Sequence, residues 1–171
     1  SKTIDPTPYT SGIYFLGFRH SFLVFPSSVQ TIQFSHASGS DGVALESRTE
    51  DGLEVILELS FQYKFDPTKV YQLYHRYGDS YDTICQNVAI DVLTSVATNY
   101  TAYDFFNDRG LIGTSMEQNL REYYSQRCYG NIEYFQLSQV DLPDEFEEAI
   151  RDTEVQKQDI NKAEAEKQKM S

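Results

Sequence analysis

The sequence predicts an α+β domain in which a mostly antiparallel sheet packs on two or three helices and a projecting charged helix follows. Asp51-Gly52 separates two runs of alternating apolar and polar residues, which is typical of a β-hairpin. From Pro67 onwards the apolar residues recur every three or four positions, as in amphipathic helices. We place the domain at residues 1–142 and the start of the charged helix at 143–171.

The first half of the chain contains the predicted strands. Short strands are expected at residues 12–18, 22–25 and 29–34, and the first arm of the hairpin at 43–49. The second arm, residues 53–65, carries apolar side chains at odd positions and mostly polar ones at even positions. This alternation predicts a sheet with one face on a core and the other in solvent.

Start signals divide the middle of the chain into helices. Asp66-Pro67 and residues 78–80 each favour a helix start, and a turn is expected at 99–101. The predicted inner faces share apolar residues at helical spacing: Val70, Leu73 and Tyr74; Tyr81, Ile84, Cys85, Val88, Val92 and Val96; and Ile112, Met116, Leu120 and Tyr123. Gly130 ends this region.

Residues 132–140 return to alternation, with Ile132 and Tyr134 on one face and Phe135 and Leu137 on the other. We expect this strand to rejoin the sheet. Pro143 then opens the last helix.

The last helix is highly charged, with nine acidic and five basic residues in 144–171. Opposite charges recur at helical spacing, but the apolar seam is poor for a coiled coil, so the helix should need a partner. The candidate contacts between protomers are Glu147, Arg151, Glu154, Lys157 and Ile160. A solvated helix without a partner is the alternative.

Composition excludes several classes of function. The 171 residues are 40% hydrophobic and carry a net charge of −12, which indicates a folded, acidic domain. That charge argues against binding to nucleic acid and against simple electrostatic docking on anionic lipid. No apolar run reaches the ~18 residues of a membrane span. Since the chain lacks a starting Met and stops within a charged helical run, we interpret it as a piece of a longer protein.

No set of residues predicts catalysis or metal binding. His20, His36 and His75 lack metal-ligand spacing, and no glycine-rich phosphate loop is present. Cys85 lies on an apolar helical stripe without an activating neighbour. We expect Cys85 and Cys128 to be reduced, half-buried thiols. A disulfide between them is the alternative if the compartment is oxidising. No enzyme activity and no cofactor are predicted.

Aromatic residues crowd the first predicted strands. They either fill the core or contact the membrane interface, where aromatic side chains are favoured. The candidates for membrane contact are Phe18 and Phe22.

Asn99-Tyr100-Thr101 is an N-glycosylation sequon in an expected turn. Such triplets often arise by chance, and use of Asn99 would require a lumenal location.

Four motifs occur in order along nearly the whole chain. They are the opening segments at 11–17, 25–26 and 30–35; the turn containing Arg48, Thr49, Asp51 and Gly52; Val96-Ala97-Thr98 followed by 104–109; and Val140-Asp141-Leu142-Pro143 before a charged helix. In these motifs the sequence resembles the stomatin/prohibitin/flotillin (SPFH, band 7) domain family.

The resemblance implies a curved sheet packed on helices and a charged helix that enters a coiled coil. It implies a non-catalytic, membrane-associated scaffold subunit that forms rings or cages with itself or related subunits. Such assemblies organise membrane microdomains and regulate client membrane proteins, and a preceding segment usually supplies the anchor. It does not settle which membrane is involved. A monomeric or dimeric module that binds protein or lipid is the alternative.

Overall fold

The structure is a computed structural model that describes residues 2–170. The strands are β1 (Gln30–Phe34), β2 (Leu45–Arg48), β3 (Glu54–Phe65) and β4 (Gly130–Asp141). The helices are α1 (Val70–Tyr77), α2 (Tyr81–Ala97), α3 (Ala102–Asn107), α4 (Arg109–Cys128) and α5 (Asp144–Met170). Single 3-10 turns at Pro67–Lys69 and Gly78–Ser80 precede α1 and α2. This is the predicted α+β class, with an open antiparallel sheet.

Strand β3 is the centre of the sheet. It pairs with β4 over residues 56–65, with β1 over 59–63 and with β2 over 54–57, always antiparallel. A strand can pair along only two edges. The residues of β3 that pair with β4 include residues that also pair with β1 and with β2, so β4 occupies one edge. Strands β1 and β2 therefore lie end to end along the other edge. The predicted hairpin and the return of the last strand to the sheet are both confirmed.

The odd-numbered residues of β3 form the centre of the core, as the alternation predicted. All six from Val55 to Phe65 are buried. Helices α2 and α4 cover them with buried side chains that include Cys85, Ala89, Leu93, Ile112, Met116, Leu120 and Tyr124. The prediction of Tyr123 on the inner face of α4 was wrong, because a strict four-residue repeat from Ile112 brings Tyr124 inwards and leaves Tyr123 exposed.

Two bulges interrupt the alternation predicted for β4. Glu133 and Ser138 are each skipped in the register with β3. The buried residues Ile132 and Phe135 are therefore three positions apart instead of two. A bulge adds one residue without a partner, so a simple period of two failed to place the inner face.

Two arginines of α4 hold β4 beside these bulges. The Arg109 guanidinium donates to the Ser138 carbonyl, 2.5 Å away. The Arg121 guanidinium donates to the Ile132 carbonyl and forms an ion pair with Glu117 at 2.7 Å. Arg109, which ends the third sequence motif, therefore ties a helix to the sheet.

The predicted strands at 12–18 and 22–25 were wrong. Both segments are irregular, and β1 begins only at Gln30. Gly17 and Arg19 have φ values of 82° and 65°, which break an extended chain. Neither segment pairs with a strand of the sheet, and Phe25 is the residue of the two that packs against the core.

The expectation of reduced thiols was also wrong, because Cys85 and Cys128 form a disulfide between α2 and the last residue of α4. Their Cα atoms are 5.8 Å apart, and both residues are buried. The bridge spans 43 positions. Closing a loop of that length stabilises a fold by about 4 kcal/mol in the chain-entropy account.

The turn from α4 into β4 requires close packing. Tyr129 adopts the left-handed conformation, with a φ of 53°. A Cβ atom at Gly130 would lie only 2.6 Å from the buried ring of Tyr124. The Tyr63 ring packs on that of Tyr124 at 5.2 Å, and burial raises the pKa of Tyr63 to about 12. The pair stays neutral at physiological pH and leaves no room beside Gly130.

We predict that Gly130→Ala destabilises the fold by about 1–3 kcal/mol, the usual cost of overpacking a core. Gly110→Ala is the matched control, because its added Cβ meets nothing within 4 Å and the position is helical. It should leave stability equal or raise it by up to ~1 kcal/mol. Urea unfolding of both variants measures the difference, and equal stabilities would contradict this packing.

Candidate functional site

The motif turn, from Arg48 to Gly52, is held by its own side chains. The Thr49 hydroxyl donates to Asp51 Oδ1 at 2.6 Å and accepts from the Leu53 N–H at 3.0 Å. Arg48 donates to the Gly52 carbonyl at 3.3 Å. Gly52 has a φ of 83°, a conformation that L side chains rarely adopt. The turn residues singled out from the sequence thus form one hydrogen-bonded unit.

This unit docks on the junction between α2 and α3. Asp51 Oδ1 also accepts from the Ala102 N–H at 3.1 Å, and the Glu50 N–H donates to the Tyr100 carbonyl at 2.8 Å. The Thr101 hydroxyl caps α3 as half of a capping box. The motif turn therefore fastens the hairpin to the helices through the Asp51 carboxylate and the Glu50 backbone.

The Thr49 hydroxyl holds the pKa of Asp51 below its ordinary value of 3.8. Burial opposes that effect, and the Ala102 N–H adds to it. Each donor stabilises the ionised carboxylate. Asp51 therefore stays charged through the physiological range as a structural acceptor.

The aromatic loop, residues 9–25, contains both candidates for membrane contact. Phe18 lies in the turn at its tip and is 96% exposed. Phe22 is 48% exposed and packs edge-on against Tyr9 and Tyr14, with ring centroids 5.8 and 6.4 Å away. The two candidates differ: Phe18 projects, and Phe22 braces the loop.

Sequence reasoning missed three further exposed residues of this loop. Ile13, Phe15 and Val24 are 102%, 97% and 84% exposed. Phe25 instead packs against the core, which was the alternative to membrane contact. Its ring centroid lies 5.1 Å from that of Tyr81. The loop thus presents several large apolar side chains to solvent, which is costly unless another surface covers them.

A charge pattern in the sequence marks this loop. Residues 6–40 contain no Asp or Glu, and Arg19 is their one Lys or Arg, although the whole chain has a net charge of −12. Apolar exposure and the absence of acidic groups coincide in one segment. The run of apolar residues without acidic groups is visible in the sequence and could have marked this loop as a candidate site.

Helix α5 begins on the body of the domain and continues as an exposed helix. Ile150 is buried and Phe146 is half-buried against the core. Every residue from 151 to 170 is exposed, a length of about 30 Å. Of the candidate contacts between protomers, Glu147 is half-buried and pairs with Arg151 at 3.5 Å. The other three, Glu154, Lys157 and Ile160, are on the exposed stretch.

The sequon lies beside the motif turn. Asn99 is exposed in the turn between α2 and α3, and the next residue, Tyr100, receives the hydrogen bond from Glu50. The structure thus brings these two sequence-predicted sites together, while the aromatic loop and α5 are separate elements.

Two surface clefts have volumes of about 410 and 450 Å³. The ionisable side chains lining them are Glu46 in the first, and Arg109 and Glu117 in the second. Within residues 2–170, no three His, Cys, Asp or Glu side chains are grouped so as to hold a metal ion. No helix in that range combines the length and the apolar character needed to cross a membrane.

These features define an α+β domain with an open antiparallel sheet, a hairpin fastened to its helices and a charged C-terminal helix. The chain belongs to the SPFH domain / Band 7 family, whose profile matches residues 2–170. Members of this family are generally membrane-associated scaffolds without catalytic activity. A comparison with curated proteins found no significant match. The family resemblance drawn from the four motifs is confirmed.

We predict that Asp51→Ala lowers the free energy of unfolding at pH 7 by about 1 kcal/mol, because two hydrogen bonds to the carboxylate are lost. The folded pKa of Asp51 is below its unfolded value, so this stability is present above pH 3.8 and disappears as the pH falls through the folded pKa. Denaturant unfolding from pH 7 to pH 2 should show the variant and wild type approaching each other as the pH falls below 3.8.

The control is Asp152→Ala, which removes an exposed carboxylate of α5 and should change stability by less than about 0.5 kcal/mol. A difference between Asp51→Ala and wild type that stayed constant down to pH 2 would contradict the role of the charged carboxylate.

Proposed function

We propose that this protein is a membrane-associated scaffold subunit that assembles, with itself or related subunits, into a ring or cage. The assembly organises membrane microdomains and regulates client membrane proteins. The observation that carries the proposal is the aromatic loop, which exposes large apolar side chains where the chain has no acidic residue. Membership of the SPFH domain / Band 7 family supports the same role.

The aromatic loop suits the interface of a membrane. Burying an apolar side chain of this size contributes roughly 1.5–3 kcal/mol, so Phe15 and Phe18 together suffice for reversible binding. The rings of Tyr9, Tyr14 and Phe22 pack on one another and hold the loop in shape. Because the rest of the protein is acidic, attachment depends on this apolar contact and not on attraction to anionic lipid.

Helix α5 suits assembly between neighbouring subunits. The exposed stretch of α5 lacks the tertiary packing that supplies most of a helix's stability in proteins, and a neighbouring helix would provide it. Exposed ion pairs contribute only about 0–1 kcal/mol each, so the charges select register and partner more than they add affinity. Weak contacts of this kind add up to a stable ring when each subunit has two neighbours.

We predict that Phe15→Ser combined with Phe18→Ser weakens binding of the 171-residue protein to phosphatidylcholine vesicles by at least ~100-fold, the equivalent of a loss of about 3 kcal/mol. Co-flotation on a density gradient, over a series of lipid concentrations, measures the change. Both side chains are almost fully exposed, so the fold should be retained.

Val43→Ser with Leu111→Ser is the matched control, since these side chains are exposed and apolar but lie outside the aromatic loop. Flotation that survives the loop variant, or falls equally in both variants, would remove the loop from membrane contact.

A second prediction concerns α5. Glu147→Lys with Glu154→Lys should reduce the particle mass of the full-length protein in mild detergent, because neighbouring helices would then present like charges. Adding Arg151→Glu and Lys157→Glu restores alternating signs and should restore the mass in an assembly of identical subunits.

Circular dichroism of each variant reports whether α5 remains helical. A double variant with unchanged helicity and unchanged particle mass would show that this part of α5 is not the contact between subunits.

A further inference from the structure

The disulfide between Cys85 and Cys128 indicates the kind of compartment in which the domain folds. It joins the N-terminal part of α2 to the end of α4 within the core, and both residues are at most 1% exposed. Disulfides persist in the secretory pathway and outside the cell, and are rare where glutathione keeps thiols reduced. A disulfide built into the core is therefore a sign of an oxidising compartment.

A second observation, independent of the cysteines, points to the same place. Asn99 begins the sequon Asn99-Tyr100-Thr101, and its side chain is exposed. Its backbone N–H donates to the Val96 carbonyl, so the residue is held in a turn at the end of α2. An exposed turn gives an attached sugar free access to solvent.

The surroundings of Asn99 can accommodate a glycan without disturbing the fold. Thr98 beside it is exposed as well, and the core contacts of this turn are made by Ala97 and Ala102, both fully buried. The Thr101 hydroxyl caps α3 in the folded domain. A sugar on the Asn99 side chain would leave that cap, and the bond from Glu50 to the Tyr100 carbonyl, in place.

We propose that Asn99 carries an N-linked glycan and that this domain folds in the oxidising lumen of the secretory pathway, where the Cys85–Cys128 disulfide forms. The inference adds a modification site and a compartment to the scaffold role, and it does not depend on ring assembly.

Glycosylation of Asn99 and formation of the disulfide both use reagents of that compartment. The Asn99 amide nitrogen forms a bond to the anomeric carbon of a polyprenyl-diphosphate oligosaccharide, loses a proton and displaces the polyprenyl diphosphate. The two cysteine thiols lose two protons and two electrons to a disulfide of an oxidoreductase, which is reduced to a dithiol.

The test uses the full-length protein from its own membranes. Peptide-N-glycosidase should increase its mobility on a gel and convert Asn99 to Asp, which peptide mass spectrometry detects. Without reduction, the digest should contain one peptide in which Cys85 is linked to Cys128, and a maleimide added under denaturing conditions should label neither thiol.

Two variants of the sequon make the assignment specific. Asn99→Gln should abolish the mobility shift, whereas Thr101→Ser should retain it because serine preserves both the sequon and the cap of α3. Unmodified Asn99 in the native protein, or labelling of both cysteines without prior reduction, would overturn the proposal. Neither result affects vesicle flotation or particle mass, so failure here is distinguishable from failure of the scaffold role.

Discussion

The pairing of β3 along both of its edges is the constraint on which the rest of the domain depends. This strand of 12 residues is the one to which β1, β2 and β4 all pair. Its odd-numbered side chains form the apolar face against which α2 and α4 pack. A slip of one residue in its register would turn that apolar set towards solvent, so every later contact requires this register.

Specific ties then hold the helices to the sheet. The motif turn binds the α2–α3 junction through Asp51, and Arg109 and Arg121 hold β4 to α4 beside its two bulges. The disulfide joins α2 to α4. Asp51 and Arg109, which belong to the sequence motifs, therefore have structural roles. The exposed apolar side chains of the aromatic loop and the exposed part of α5 lie outside these contacts.

The elements governed by a single local pattern could be predicted from the sequence. The alternation from Leu53 to Phe65 placed the inner face of β3, and Asp51-Gly52 placed the hairpin turn. The sequence also placed the cap at Asp66, whose carboxylate accepts from the Thr68 N–H.

What the sequence did not predict depends on tertiary partners. The bulges at Glu133 and Ser138 lie beside the carbonyls to which Arg121 and Arg109 of α4 donate, which are contacts between elements that a local pattern does not encode. The apolar run before β1 has the composition of strands but pairs with no strand of the sheet. The pairing of Cys85 with Cys128 follows from the α2–α4 contact, which no local pattern encodes. Phe18, a candidate for membrane contact because aromatic residues are frequent at membrane interfaces, is exposed, and its contact with a membrane stays a prediction. Phe15 was missed because its exposure depends on that absent strand pairing.

The scaffold role is tested most directly by the particle mass of the unmodified full-length protein, extracted natively in mild detergent and measured by mass photometry across a dilution series. The account predicts a discrete assembly of many subunits that persists on dilution, with a mass that is a whole multiple of the protomer. A monomer or dimer at every concentration would contradict it and would leave the domain as a binding module with the SPFH fold.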